Sequence, residues 1–172
     1  MIDQSALYKI QYGMYIITTK HADKINGQIA TVVFQVTSLP IQIAVCLSKK
    51  TYTHELILQS KVFGVSILDE KAPTKFIGTF GYRCGRECQK FDGINFTTGA
   101  TGCPLVTDNS LIVMDAKVKQ VFDVGSHDLF IGEIESSKTI CDGVAMTYEY
   151  YHAVRKGKSP ENAPTFQAKI SG

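Results

Sequence analysis

Apolar and polar positions alternate along much of this chain with the period of strands rather than helices. The longest such stretch is SLIVMDAKVKQVFDV (110–124), where Ile112, Met114, Ala116, Val118 and Phe122 are apolar and Asp115, Lys117 and Lys119 fall between them. Successive side chains of an extended segment point to opposite faces, so one face is expected on a core and the other in water or against a partner. YGMYIITT (12–19), QIATVVFQVT (28–37), IQIAVCLS (41–48), KVFGVSIL (61–68) and LFIGEIESS (129–137) read as further strands from their β-branched and aromatic content. HADKING (21–27) carries turn chemistry, Pro40 breaks the second run, and GSHD turns the long strand into a hairpin. MTYEYYHAV (146–154) is expected to add a last strand. Helical signals are short: THELILQS (53–60), with Thr53 as its amino-terminal cap, and PTKFIGTFG (73–81), which starts with Pro and ends with Gly. Many short strands with two small helices predict an antiparallel barrel.

A length of 172 residues fits one domain, and 44% hydrophobic with 20% charged residues is the balance of a folded globular chain. The boundary falls after residue 154, where RKGKSPENAPTFQAKISG turns polar and Pro-containing; 1–154 is read as the domain and 155–172 as an extended tail. Net charge is only +2, so any anion site must be local, and nothing points to nucleic acid. No apolar run reaches the ~18 residues of a membrane span, and the amino terminus lacks the pattern of a secretory signal. Five scattered cysteines, an odd number, argue for reduced thiols and a cytoplasmic protein. Cys46, inside IQIAVCLS, is read as a core residue.

No Walker loop, dinucleotide GxGxxG, HExxH or GxSxG turn is present. Polar clusters at strand ends carry the candidate chemistry instead. In SKKTYTHEL (48–56), Ser48, Thr51 and Thr53 offer hydroxyls, Lys49 and Lys50 offer charge, and a helix begins beside them: the ingredients of a phosphate site. GYRCGRECQKF (81–91) crowds Arg83, Arg86 and Lys90 around Cys84 and Cys88. No second thiol or histidine pair supplies the missing zinc ligands, and the spacing is one longer than the redox CxxC, so the thiols read as passengers in a basic loop. His127 and His152 lie where strand ends frame a pocket.

Taken in order, LYKIQYGMYIITT, DKINGQIATVVFQVTSLP, SKKTYTHELI, FGYRCGRECQKFDG, VGSHDLFIGEI and MTYEYYHAVRKGKSPENAPTF resemble the flavin reductase-like family of FMN-binding split barrels. The likeness covers nearly the whole chain. It implies a mainly β fold, a six-stranded antiparallel Greek-key split β-barrel with short flanking helices, assembled as a homodimer with FMN near the interface. By that resemblance Gln28, Ile29, Ala30 and Thr31 line the flavin ring, and Ser48, Lys49, Thr51 and Thr53 hold its phosphate. Arg86 and Lys90 add positive charge, His127 takes the catalytic position near the ring, and Tyr151 and His152 belong to the same pocket. The implied activity is hydride transfer from NADH or NADPH to flavin. Electrons then pass to a separate acceptor such as free flavin, a rubredoxin, a flavodiiron protein or a ferric chelate. The alternative is a flavoredoxin-like carrier reduced by a protein donor. The chain departs from the family pattern at Pro40-Ile41, where many members have two prolines, at Gly125-Ser126-His127, which lacks the usual acid, and at Cys84 and Cys88, where relatives commonly carry Ser and Asp.

Overall fold

The computed structural model describes residues 4–161 and 163–165. After a short 3-10 helix (Gln4–Lys9), strand β1 (Tyr15–His21) turns into β2 (Lys24–Ala30) through Ala22 and Asp23, with Ala22 in the left-handed region at φ 51°. Most of HADKING is therefore strand, not loop. The run 28–37, expected as one strand, is two. Ala30 is the last residue in register with β1, and β3 (Val33–Ser38) starts a new ladder with β4 (Ile41–Ser48).

Helix α1 (Tyr52–Ser60) follows, then β5 (Val62–Leu68), α2 (Thr74–Gly81), β6 (Phe96–Thr98) and β7 (Pro104–Val106). The long pair β8 (Ser110–Asp123) and β9 (His127–Thr139) and a last helix α3 (Tyr148–Ala153) complete the order. The cap of α1 is Thr51, whose hydroxyl accepts from the His54 N–H, and not Thr53. The expected strand at 146–154 is a helix. Thr147 caps it by accepting from the Tyr150 N–H, and Glu149 sits in the first turn, so capping outweighs the aromatic strand propensity.

Seven strands form one antiparallel sheet in the order β2-β1-β5-β8-β9-β4-β3, and β6 pairs with β7. Splitting the 28–37 run accounts for the strand beyond the expected six. The sheet's two ends, β2 and β3, are joined through Thr31 and Val32 alone. At about 3.6 Å per residue that link spans no more than roughly 11 Å, so the sheet must curl until its ends approach. They are not hydrogen-bonded to each other in the ladder, and the barrel stays split. Val32 instead accepts a backbone bond from the Cys46 N–H.

The main core packs Ile17, Val45, Leu47, Ile57, Phe63 and Phe130 inside the curl. The alternation of β8 holds only in part. Met114, Ala116 and Val118 face this core, but a register shift between Val118 and Gln120 reverses the phase, so Val121 packs inward and Phe122 is 49% exposed. On the other face Val113 packs with Cys103 and Leu105, and Asp115, expected in water, is fully buried. The Thr101 N–H and the Ser136 hydroxyl satisfy its carboxylate. The β6–β7 hairpin covers a face that the pattern alone assigns to solvent.

Candidate functional site

A cavity of about 290 Å³ opens where the ends of the sheet approach each other. One wall is the carboxyl end of β4 and the start of α1. Ser48 ends the strand, and the Thr51 hydroxyl donates to the Ser48 carbonyl at 3.0 Å. Thr53 is buried and accepts from Asn26 Nδ2 at 2.9 Å. His54 Nε2 lies 2.6 Å from Asp128 Oδ2, which ties the first turn of α1 to β9. The free N–H groups of a helix start, hydroxyls and the exposed Lys50 thus face one end of the cavity, an arrangement suited to an anion.

The second wall is the end of β2. Asn26 Oδ1, Gln28 Oε1 and Thr31 Oγ1 are buried without a hydrogen-bond partner, and all three residues line the cavity. An unsatisfied buried polar atom costs about 1–3 kcal/mol, so three on one cavity mark a surface that a polar ligand completes. Ile29 and Ala30 supply apolar contact beside them.

Lys90 comes from the loop after α2 and is 6% exposed, its Nζ donating to the carbonyls of Gly27 at 2.8 Å and Phe80 at 3.4 Å. Burial lowers its pKa to about 8, against the pull of Cys88 and Cys84. Tyr151 of α3 is buried on the cavity wall, where burial and then the neighbouring Tyr82 push its hydroxyl up to about 12, so it stays a neutral donor.

The structure thus brings Gln28, Ile29, Ala30, Thr31, Ser48, Thr51, Thr53, Lys90 and Tyr151 to one cavity. Four other expected residues are not on its wall. Lys49 is drawn away by the Ser126 carbonyl, which accepts from its N–H, and its Nζ pairs with Asp123 at 2.6 Å and Asp128 at 3.6 Å. Arg86 is paired with Glu55 and stacked 4.4 Å from the centre of the Tyr52 ring. His127 stands opposite Ser48 in the β4–β9 ladder, its Nδ1 2.8 Å from the Ser126 hydroxyl. His152 packs edge-on to Tyr148 and reaches the Ser159 hydroxyl at 3.1 Å.

Sequence reasoning missed Asn26 and Tyr148 on the wall, the resemblance put Lys49 rather than Lys50 of the lysine pair at the phosphate, and Cys46, read as core, is half-buried there. Nothing in the sequence separates Lys50 from Lys49; a strand register would have placed Asn26. The segment after residue 154 also contributes. Lys158, Ser159, Pro160, Ala163 and Pro164 line the cavity, the Tyr82 hydroxyl donates to the Lys158 carbonyl, and the Tyr148 and Ser159 hydroxyls bond. Residues 166–172 of the expected tail lie outside the described residues.

Residues 7–157 match the family described as Flavin reductase like domain, and the chain belongs to that family. A ferric-chelate reductase (NAD(P)H) from Archaeoglobus fulgidus is 47% identical over 96% of this chain and 98% of its own length. A high molecular weight rubredoxin from Moorella thermoacetica is 43% identical over 96% of this chain and 72% of its own. The fold matches the crystal structure of flavin reductase HpaC complexed with NADP+, with a TM-score of 0.72 over 84% of this chain and 90% of that one at 23% identity.

Proposed function

We propose that the chain binds FMN in this cavity and works as an NAD(P)H:flavin oxidoreductase that hands electrons to a separate acceptor. The observation that carries the reading is the set of three unpartnered polar atoms, Asn26 Oδ1, Gln28 Oε1 and Thr31 Oγ1, lining a cavity whose other wall is a phosphate-type site. Bound FMN supplies a ring that accepts hydride from a nicotinamide and releases electrons onward. Ser48, Lys50, Thr51 and Thr53 hold its phosphate. Gln28 to Thr31 hold the ring by its polar edge, and Lys90 places a desolvated positive charge beside it. Tyr151 with Lys158, Ser159, Pro160, Ala163 and Pro164 shields the cavity from water. His127, next to Ser48 across the ladder, is the proposed catalytic residue, with the role of orienting the donor.

A ferric chelate is the first acceptor to test, because the Archaeoglobus relative is named for that activity. A rubredoxin is the second, by the name of the Moorella relative. Among the described residues no helix is long and apolar enough to cross a membrane. We place the protein in the cytoplasm as a homodimer. Phe34 and Val36, 51% and 44% exposed on the outermost strand β3, support that assembly. Light scattering should give twice the chain mass, and F34K should reduce it to one; a monomeric wild type would refute the dimer.

The test of function is the visible spectrum of the FMN-loaded protein before and after NADH or NADPH under anaerobic conditions. Rapid bleaching followed by recovery on adding a ferric chelate is expected. Bleaching by a reduced rubredoxin or ferredoxin but by neither nicotinamide would overturn the reductase reading.

A further inference from the structure

The turn RCGREC carries two thiols that the proposed flavin site does not use, yet the fold sets them against its cavity. Residues 84–88 form a turn closed by bonds of helical span, in which the Cys84 carbonyl accepts from the N–H groups of Glu87 at 3.0 Å and Cys88 at 3.2 Å. One turn apart, two Cβ atoms stand about 5–6 Å from each other on the same side. The Cys88 thiol reaches back to the Cys84 carbonyl at 3.4 Å. Both residues are half-buried; Cys84 lines the cavity and Cys88 does not.

Gly85 lets the loop approach so closely, since a Cβ there would come within 2.0 Å of Asn26 Oδ1. Both thiols lie close enough to Lys90 to act on its ammonium, against the burial that lowers its pKa. Among the described residues no group of three or more His, Cys, Asp or Glu is placed to hold a metal.

We propose that Cys84 and Cys88 are a redox-active dithiol that reduces low-molecular-weight disulfides and is restored with electrons from the cofactor cavity, giving the protein an NAD(P)H-dependent disulfide reductase activity. This rests on the reading of the cavity as a flavin site. The Cys88 thiolate, off the cavity wall, attacks one sulfur of the external disulfide, forms a mixed disulfide and expels one thiol. The Cys84 thiolate then attacks Cys88 Sγ, expels the second thiol and closes the Cys84–Cys88 bond. Two electrons and one proton delivered as hydride by NAD(P)H, with one proton from water, break that bond and restore both thiols. The sum is one disulfide, one NAD(P)H and one proton giving two thiols and NAD(P)+.

Closure needs Cβ atoms about 3.8 Å apart, so the turn must tighten by roughly 1–2 Å. A disulfide strained in this way is among the readily reduced ones, as one that turns over must be.

The experiment treats FMN-loaded protein with glutathione disulfide, blocks free thiols with N-ethylmaleimide in denaturant and maps the products by mass spectrometry. A Cys84–Cys88 link is expected, with Cys46, Cys103 and Cys141 alkylated. Adding NADH or NADPH should reopen the link in FMN-loaded protein and leave it closed in FMN-free protein. C84S should trap glutathione on Cys88, and C88S should lose thiol release while the flavin bleaches at the wild-type rate. Alkylation of both Cys84 and Cys88 after exposure to glutathione disulfide would overturn the proposal. So would a link that persists beside fully reduced flavin. If neither nicotinamide bleaches the flavin, the reductase reading fails; photoreduction of the bound flavin then tests the dithiol by itself, through the same mass readout.

Discussion

Two basic clusters flank the cavity, and they treat their charges differently. In the β4–α1 loop, Lys49 is neutralised by Asp123 and Asp128 from the β8–β9 hairpin, which leaves exposed Lys50 on the cavity. In the loop after α2, Arg86 is held by Glu55, and Lys90 turns inward to be buried against two carbonyls. The first cluster keeps Lys50 for the cavity and the second keeps Arg83 and Lys90, while each commits one cation to an ion pair. Lys50 acts through water and is screened by salt, whereas Lys90 acts through a desolvated interior, where a unit charge has several-fold more reach. The flavin ring is therefore expected to feel Lys90 most, and the phosphate to feel Lys50 weakly.

The largest test of this contrast is pH. Burial lowers the Lys90 pKa to about 8 in the folded chain. The unfolded chain keeps its proton to roughly 10.4. Between those values the unfolded state binds one more proton, so stability rises with pH across the window, by at most roughly 3 kcal/mol. Urea unfolding from pH 7 to 10 should show that rise in wild type and a smaller slope in K90M. Equal slopes would mean that Lys90 is not desolvated. At neutral pH, K90M should also weaken FMN binding about 10- to 100-fold, the worth of a charge-assisted contact of ~1.5–3 kcal/mol. R86A should stay near wild type in the same fluorescence titration.

Next in size is T53V, which leaves Asn26 Nδ2 without its acceptor. It should lower unfolding stability by about 1–3 kcal/mol and weaken FMN binding together. An unchanged melting temperature would refute the buried Asn26–Thr53 link. The smallest effect separates the adjacent lysines. K50A should raise the Kd for FMN by a few-fold, the ~0.3–1 kcal/mol of an exposed charge near a helix start, and the difference should shrink in high salt. K49A should change it less. The reverse order would show that the Asp123 and Asp128 pairs do not hold Lys49 away from the phosphate.

Much of the architecture was legible because strand periodicity is local. The runs 41–48, 61–68, 110–124 and 129–137 appear close to where the pattern puts them. Misreadings fell where a distant segment, a register shift or an overlooked cap decides. Asp115 is buried by the β6–β7 hairpin, Phe122 is turned outward by a bulge, and Thr147 starts a helix in an aromatic run. The site was half legible. Hydroxyls ahead of a helix suggest an anion, but Asn26 and the stretch Lys158 to Pro160 with Ala163 and Pro164 reach the cavity only through tertiary packing.

By itself, then, the sequence determined most of the strands, the hydroxyl and lysine cluster of the β4–α1 loop and the basic loop, because each depends on neighbours within a few positions. Tertiary structure alone decided which lysine faces the cavity, since Lys49 and Lys50 differ only in the acids that β8 and β9 bring to them. It also decided that Cys84 borders the cavity while Cys88 stands behind it, because the curl of the sheet brings Asn26 against Gly85 across a long stretch of chain.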